Sequence, residues 1–144
     1  MRIESVFLLV LMLLVPLTPL VEPTEAVSAR SQPCGGSICI NEVMPNPNGY
    51  DDAVWPNGEW LELHNSGTTS VDVRNWYFSN KAAKTLTLDS NSIVGYDAAN
   101  ASTYTLAPGD YMIVARNGAS NFYVANSNDF MTLYDSSSGW IDEA

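Results

Sequence analysis

No second histidine, no third cysteine and no apolar run longer than residues 6 to 15 occur in this 144-residue chain. Each shortage excludes something. One histidine cannot build a site of several imidazoles, and neither H-E-x-x-H nor G-x-S-x-G is present. Serine is plentiful, but in turn-forming clusters where it bends the backbone rather than serving as a nucleophile. Basic residues are scarce as well: six against sixteen acidic ones, a net charge of −10. Such a surface repels phosphate backbones, which disfavours direct binding to nucleic acid.

The single apolar run, "VFLLVLMLLV", follows Arg2 and leads into "PLTPLVEPTEAVSA". It falls short of the ~20 residues of a spanning helix. Its length, positive start and small-x-small ending are those of a cleaved secretory signal. Residues 1–29 are therefore expected to be a signal peptide cut after Ala29, with Ala26 second. The alternative is an uncleaved anchor, favoured by Glu4 in the charged end, and this is the only expected contact with a membrane. "SQPC" before Cys34 lacks a lipobox pattern. Cleavage removes one Arg and three Glu, so the remainder carries 5 − 13 = −8. The expected location is secreted, or on the extracellular face of the cell envelope.

Residues 30–36 read as a lead-in, and Cys34 and Cys39 in "PCGGSIC" as a small disulfide loop of an exported chain. A metal site built on this pair would need two further ligands, with one histidine in the whole chain. "NAS" at Asn100 is a glycosylation sequon.

From residue 37 onward, short runs rich in strand formers alternate with turn chemistry. The runs are "SICINEVM", "EWLELHN", "VDVRNWYFS", "KTLTL", "STYTL", "DYMIVA", "DFMTLYD" and "GWID". No helical period intervenes. Many short strands at such spacing predict an all-β sandwich or barrel over residues 37–144. Alternation within a strand puts Leu61 and Leu63 on one face of "EWLELHN", and Trp60, Glu62 and His64 on the other. It likewise groups Ile38, Ile40, Glu42 and Met44. In "VDVRNWYFS" the pattern slips by one between Val73 and Trp76, which predicts a bulge near Asn75.

Three clusters are candidate sites. His64 with Glu62 and Glu42 has the chemistry of a general base or a metal centre, but a lone histidine on an amphipathic strand is usually structural. Asn46, Asn48, Asp51, Asp52 and Glu59 offer hard oxygens of the kind calcium takes, although the spacing is not that of an EF-hand. Their plainer role is to satisfy the backbone of an Asn/Asp/Gly-rich connection. Trp55, Trp60, Trp140, Tyr50, Tyr96 and Tyr123 have the chemistry of a surface for a glycan or protein, or of rims to the core.

"ICINEVMPNPNGYDD", "EWLELHN", "VDVRNWYFSN", "LAPGDYMIV" and "TLYDSSSGWID" occur in that order. Together they resemble the lamin-tail domain family through about residues 37 to 144. The resemblance implies an immunoglobulin-like β-sandwich without catalysis of its own, acting as a binding or tethering module for a protein or a cell-surface component. It assigns "EWLELHN" to a core strand, with Glu42, Trp60, Glu62 and Trp76 supporting the fold. It implies no cofactor. Family members continue a few residues beyond the last hairpin, whereas this sequence stops at Ala144, which leaves open whether it is a fragment of a longer exported protein. Two rival readings follow: the leading portion of a secreted hydrolase of nuclease or phosphatase type, and a calcium-dependent adhesion module.

Overall fold

The computed structural model describes residue 34, residues 36–95 and residues 104–144. The expected signal peptide, lead-in residues 30–33 and 35, Tyr96 and the Asn100 sequon lie outside the described residues. Among the described residues there are nine strands and no α-helix: β1 (Ile38–Met44), β2 (Trp60–Asn65), β3 (Val71–Asp72), β4 (Tyr77–Asn80), β5 (Thr85–Thr87), β6 (Thr105–Leu106), β7 (Tyr111–Ala115), β8 (Met131–Tyr134) and β9 (Trp140–Glu143).

They form an immunoglobulin-like sandwich. One sheet has the order β1-β2-β7, the other β5-β4-β8-β9, and β3 pairs with β6 in a small third sheet. Each of these strand pairings is antiparallel. The segment after β5 returns to the first sheet, where Val94 N donates to Ile113 O at 3.0 Å and Ala115 N to Ser92 O at 2.7 Å. Between the sheets lie Leu61, Leu63 and Val114 from one side and Phe78 and Leu133 from the other, all fully buried with Phe122 from a loop. "EWLELHN" therefore folds as its alternation requires: Leu61, Leu63 and Asn65 inward, Trp60, Glu62 and His64 half-buried outside.

The irregularities fall elsewhere than the pattern predicts. A bulge lies in β1 between Ile40 and Glu42, so Val43 opposite Leu61 joins the core side. Glu42 and Met44 are thereby turned to the outer face, against Glu62 and Trp60, and Glu42 is exposed. It is thus not a core support; Trp76 is, and Trp60 and Glu62 are half-buried. At Asn75 there is no bulge within one strand. "VDVRNWYFS" splits into β3 and β4, which belong to different sheets, joined by a turn with Asn75 at φ 59° and Trp76 N donating to Val73 O. Asparagine tolerates that left-handed geometry better than most residues.

Two buried asparagines close the strands that carry them. Asn65 Nδ2 donates to Thr69 O and Leu106 O at 2.9 and 2.8 Å, and its Oδ1 accepts from Gly67 N. Asn80 Nδ2 donates to Tyr123 O, while Oδ1 accepts from Ala82 N and Lys84 N. Each side chain satisfies a turn and ties it to a distant segment, which makes its own burial tolerable. Asp142, fully buried in β9, accepts from Ile40 N at 2.9 Å and links the edges of the two large sheets.

Candidate functional site

The loop of residues 45–58 joins β1 to β2 and presents the most exposed large apolar side chains of the described structure, Tyr50 at 86% and Val54 at 69%, with Trp55 also exposed. An apolar tip of this kind raises the question of what holds it out in water. The loop is braced internally by Ala53 N donating to Tyr50 O and Asn57 N to Val54 O. The Trp55–Pro56 peptide bond is cis. Gly58 passes so close to Ala53 that a Cβ there would collide with the Ala53 carbonyl. Below the loop, Met44 and Trp60 line an indentation of about 260 Å³ with Asn46, Pro47, Asn48, Pro56 and Asn57.

A second loop supports the first. Gly118 N donates to Asp52 O at 2.8 Å, and Asn117 Oδ1 accepts from Trp55 N at 2.9 Å. Asn117 Nδ2 in turn donates to Asn91 O. Gly118, at φ 91°, supplies the backbone geometry that turns its amide towards Asp52.

Both loops rest on a buried ion pair. Glu59 is 1% exposed, and its Oε2 accepts from Arg116 Nη1 at 2.8 Å and from Val124 N at 3.1 Å. Arg116 Nε donates to Ala119 O, and its main-chain N to Glu59 O. One pair thus fastens the ends of β2 and β7 to the segments 117–119 and 122–125. Burial pushes the Glu59 carboxyl above its ordinary range, opposed by the hydrogen bonds and charge of Arg116 and the Val124 amide. Beside this anchor runs a groove of about 760 Å³ lined by Val54, β5, residues 89–92 and residues 116–122.

The sequence-nominated clusters fare differently. Glu59 leaves the calcium set, since its carboxylate is bound inside the protein to Arg116 and Val124. Asn46, Asn48, Asp51 and Asp52 are exposed on the loop, and among the described residues no three His, Cys, Asp or Glu groups converge on a metal-sized space. His64 lies on the outer sheet face, stacked on Tyr111 with ring centroids 4.4 Å apart. Glu62 Oε1 accepts from Asn41 Nδ2, and Glu42 stands opposite Glu62 in register. Cys34 and Cys39 are joined as a disulfide, their Cα atoms 5.4 Å apart. The aromatic set divides: Tyr50 and Trp55 share the loop, Trp60 lies beneath it, and Tyr123 and Trp140 are exposed elsewhere.

The family model described as Lamin Tail Domain matches residues 31–144. The chain belongs to the lamin tail domain family. No curated protein matches it. Among solved structures it is similar to the archaellum periplasmic stator protein FlaG from Sulfolobus acidocaldarius, at 15% identity over 74% of this chain and 95% of that one, with a TM-score of 0.40. A likeness of that size carries no argument about function.

Within this lamin tail domain, Arg116 is the functional-site residue that pattern reading passes over. A signal for it exists: it ends the apolar strand "YMIVA" and is one of only six basic residues in the chain. A lone arginine beside such a run implies a buried acidic partner, although the sequence does not say which of sixteen.

Proposed function

We propose that this lamin tail domain is an exported, non-catalytic module that binds or tethers a protein or cell-surface component through the loop of residues 45–58. The observation that carries the reading is the exposure of Tyr50, Val54 and Trp55 together on a loop braced from below by Asn117, Gly118 and the Glu59–Arg116 pair. Apolar groups held in water at low entropic cost are the raw material of an interface centre, where Tyr and Trp are the commonest anchors. Export is supported by the Cys34–Cys39 disulfide, which persists in oxidising compartments. The −10 net charge favours neutral or cationic partners over nucleic acid.

The test is retention of the purified chain on isolated cell envelopes of its source. Trp55→Ala and Tyr50→Ala, each folded as judged by its melting curve, should weaken retention about 30-fold if these side chains are hot spots worth ~2 kcal/mol. Equal retention of wild type and both variants would reject the loop as the binding element.

A further inference from the structure

We infer that the outer edge of β5 is a strand-addition site, which takes an extended, uncharged peptide segment of a partner protein into the groove beside the loop. This rests on the reading of the domain as a binding module and names the chemistry of a partner.

Main-chain geometry is the first argument. In an antiparallel ladder, alternate residues turn both N–H and C=O towards the same neighbour. β5 meets β4 through its even-numbered residues: Leu88 N donates to Trp76 O at 2.8 Å, Asn80 N donates to Lys84 O at 3.0 Å, and Leu86 pairs with Phe78 in the same register. The N–H and C=O groups of Thr85 and Thr87 therefore point away from β4. One of these four groups is met, where Ser92 Oγ donates to Thr87 O at 2.6 Å. The Thr85 N–H and C=O and the Thr87 N–H have no hydrogen-bond partner among the described residues.

The surroundings are the second argument. This edge is not a free margin of the molecule: Thr85, Leu86 and Thr87 form one wall of the 760 Å³ groove, with residues 116–122 across it. Alternating donors and acceptors at strand spacing are matched by another extended main chain, as in other cases of strand addition. The side chains of Leu86 and Phe122, also part of the lining, are buried in the core, so the incoming strand is held by its main chain.

Charge sets the third feature. Of the groove-lining ionic groups, Arg116 is held by Glu59, and Asp89 Oδ1 already accepts from Asn91 N and Ser92 N. The rest of the lining is neutral, largely Asn, Ser and Thr. An anionic side chain entering there would shed water without gaining a partner, so uncharged segments are preferred over acidic ones.

The test uses the full chain and an array of uncharged peptides of about eight residues with alternating apolar and Ser/Thr positions. Bound peptides should slow hydrogen exchange at the Thr85 and Thr87 amides. Thr87→Pro removes an N–H that β4 does not use, at an edge position where proline is tolerated, and should weaken binding about tenfold. Thr87→Ala, which keeps the N–H, should bind as wild type. N-methylation of alternate peptide residues should abolish binding in one phase and spare it in the other, a readout that stands even if Thr87→Pro fails to fold. No binder in the array, equal binding of a folded Thr87→Pro, insensitivity to methylation phase, or exchange protection of both amides without peptide would each overturn the proposal. Persistent envelope retention through Tyr50 and Trp55 alongside such a failure would sink this site alone and leave the loop reading intact.

Discussion

Replacing Arg116 with methionine should be among the most damaging single changes in the domain, and its cost should depend on pH. The guanidinium is 7% exposed and sits 2.8 Å from a carboxylate that is 2% exposed. Methionine fills much of the aliphatic stem but leaves Glu59 with the Val124 amide as its remaining hydrogen-bond donor. Stranding one member of a buried pair costs ~3–5 kcal/mol. The carboxylate escapes part of that cost by taking a proton. Its folded pKa is already raised above the ordinary carboxylate range by burial, and loss of Arg116 leaves the Val124 amide as the remaining influence that lowers it. A carboxyl whose folded pKa is raised is best tolerated below its unfolded pKa, and that stability is lost as pH rises through the folded value. The deficit of Arg116→Met should therefore be smallest near pH 4.5 and grow towards pH 7. Urea unfolding of wild type and variant at both pH values measures it. Adding Glu59→Gln should recover part of the loss at pH 7, because glutamine carries no charge yet still accepts from Val124; the coupling should be ~0.5–3 kcal/mol. A cost below about 1 kcal/mol, or one that does not change with pH, would refute the anchor role of the pair.

Leu61→Ala, at a site with no exposure, should cost ~2–5 kcal/mol in denaturant melts. His64→Ala removes a ring stacked on Tyr111 at the surface and should cost at most ~1.5 kcal/mol, with envelope retention unchanged. Reducing Cys34–Cys39, which closes a loop with a sequence separation of 5, should lower stability by about 2 kcal/mol, read as a shift in urea midpoint with and without reductant. Millimolar calcium should leave the melting temperature unmoved, because Glu59 is committed to Arg116; a rise with calcium concentration would restore the loop as a cation site.

Much of the sandwich was legible because its strands obey a period of two. Leu61 and Leu63 point inward while Trp60, Glu62 and His64 point outward, as alternation alone requires. The bulge in β1 was not legible, since "ICINEVM" alternates well in either register past Ile40, and only pairing with β2 decides that Val43 takes the core side. The split of "VDVRNWYFS" between sheets was hidden for a related reason: the slip at Asn75 is visible, but a bulge and a left-handed turn leave the same trace in the pattern. At the candidate site, the aromatic content of residues 50–55 could be read, and their exposure could not. Glu59 was misassigned because it follows a loop of oxygen-bearing residues, and its partner Arg116 lies 57 residues away. Long-range charge pairing leaves no periodic mark.

The claim that residues 45–58 form the recognition surface is tested most directly by a hydrogen-exchange footprint of the full chain, free and bound to the envelope fraction that retains it. Slower exchange at Ala53, Trp55 and Asn57, whose amides lie within or brace the loop, together with Gly118 beneath it, is the expected pattern. Protection confined to the outer face around His64 and Tyr111, with the loop amides unchanged, would contradict it.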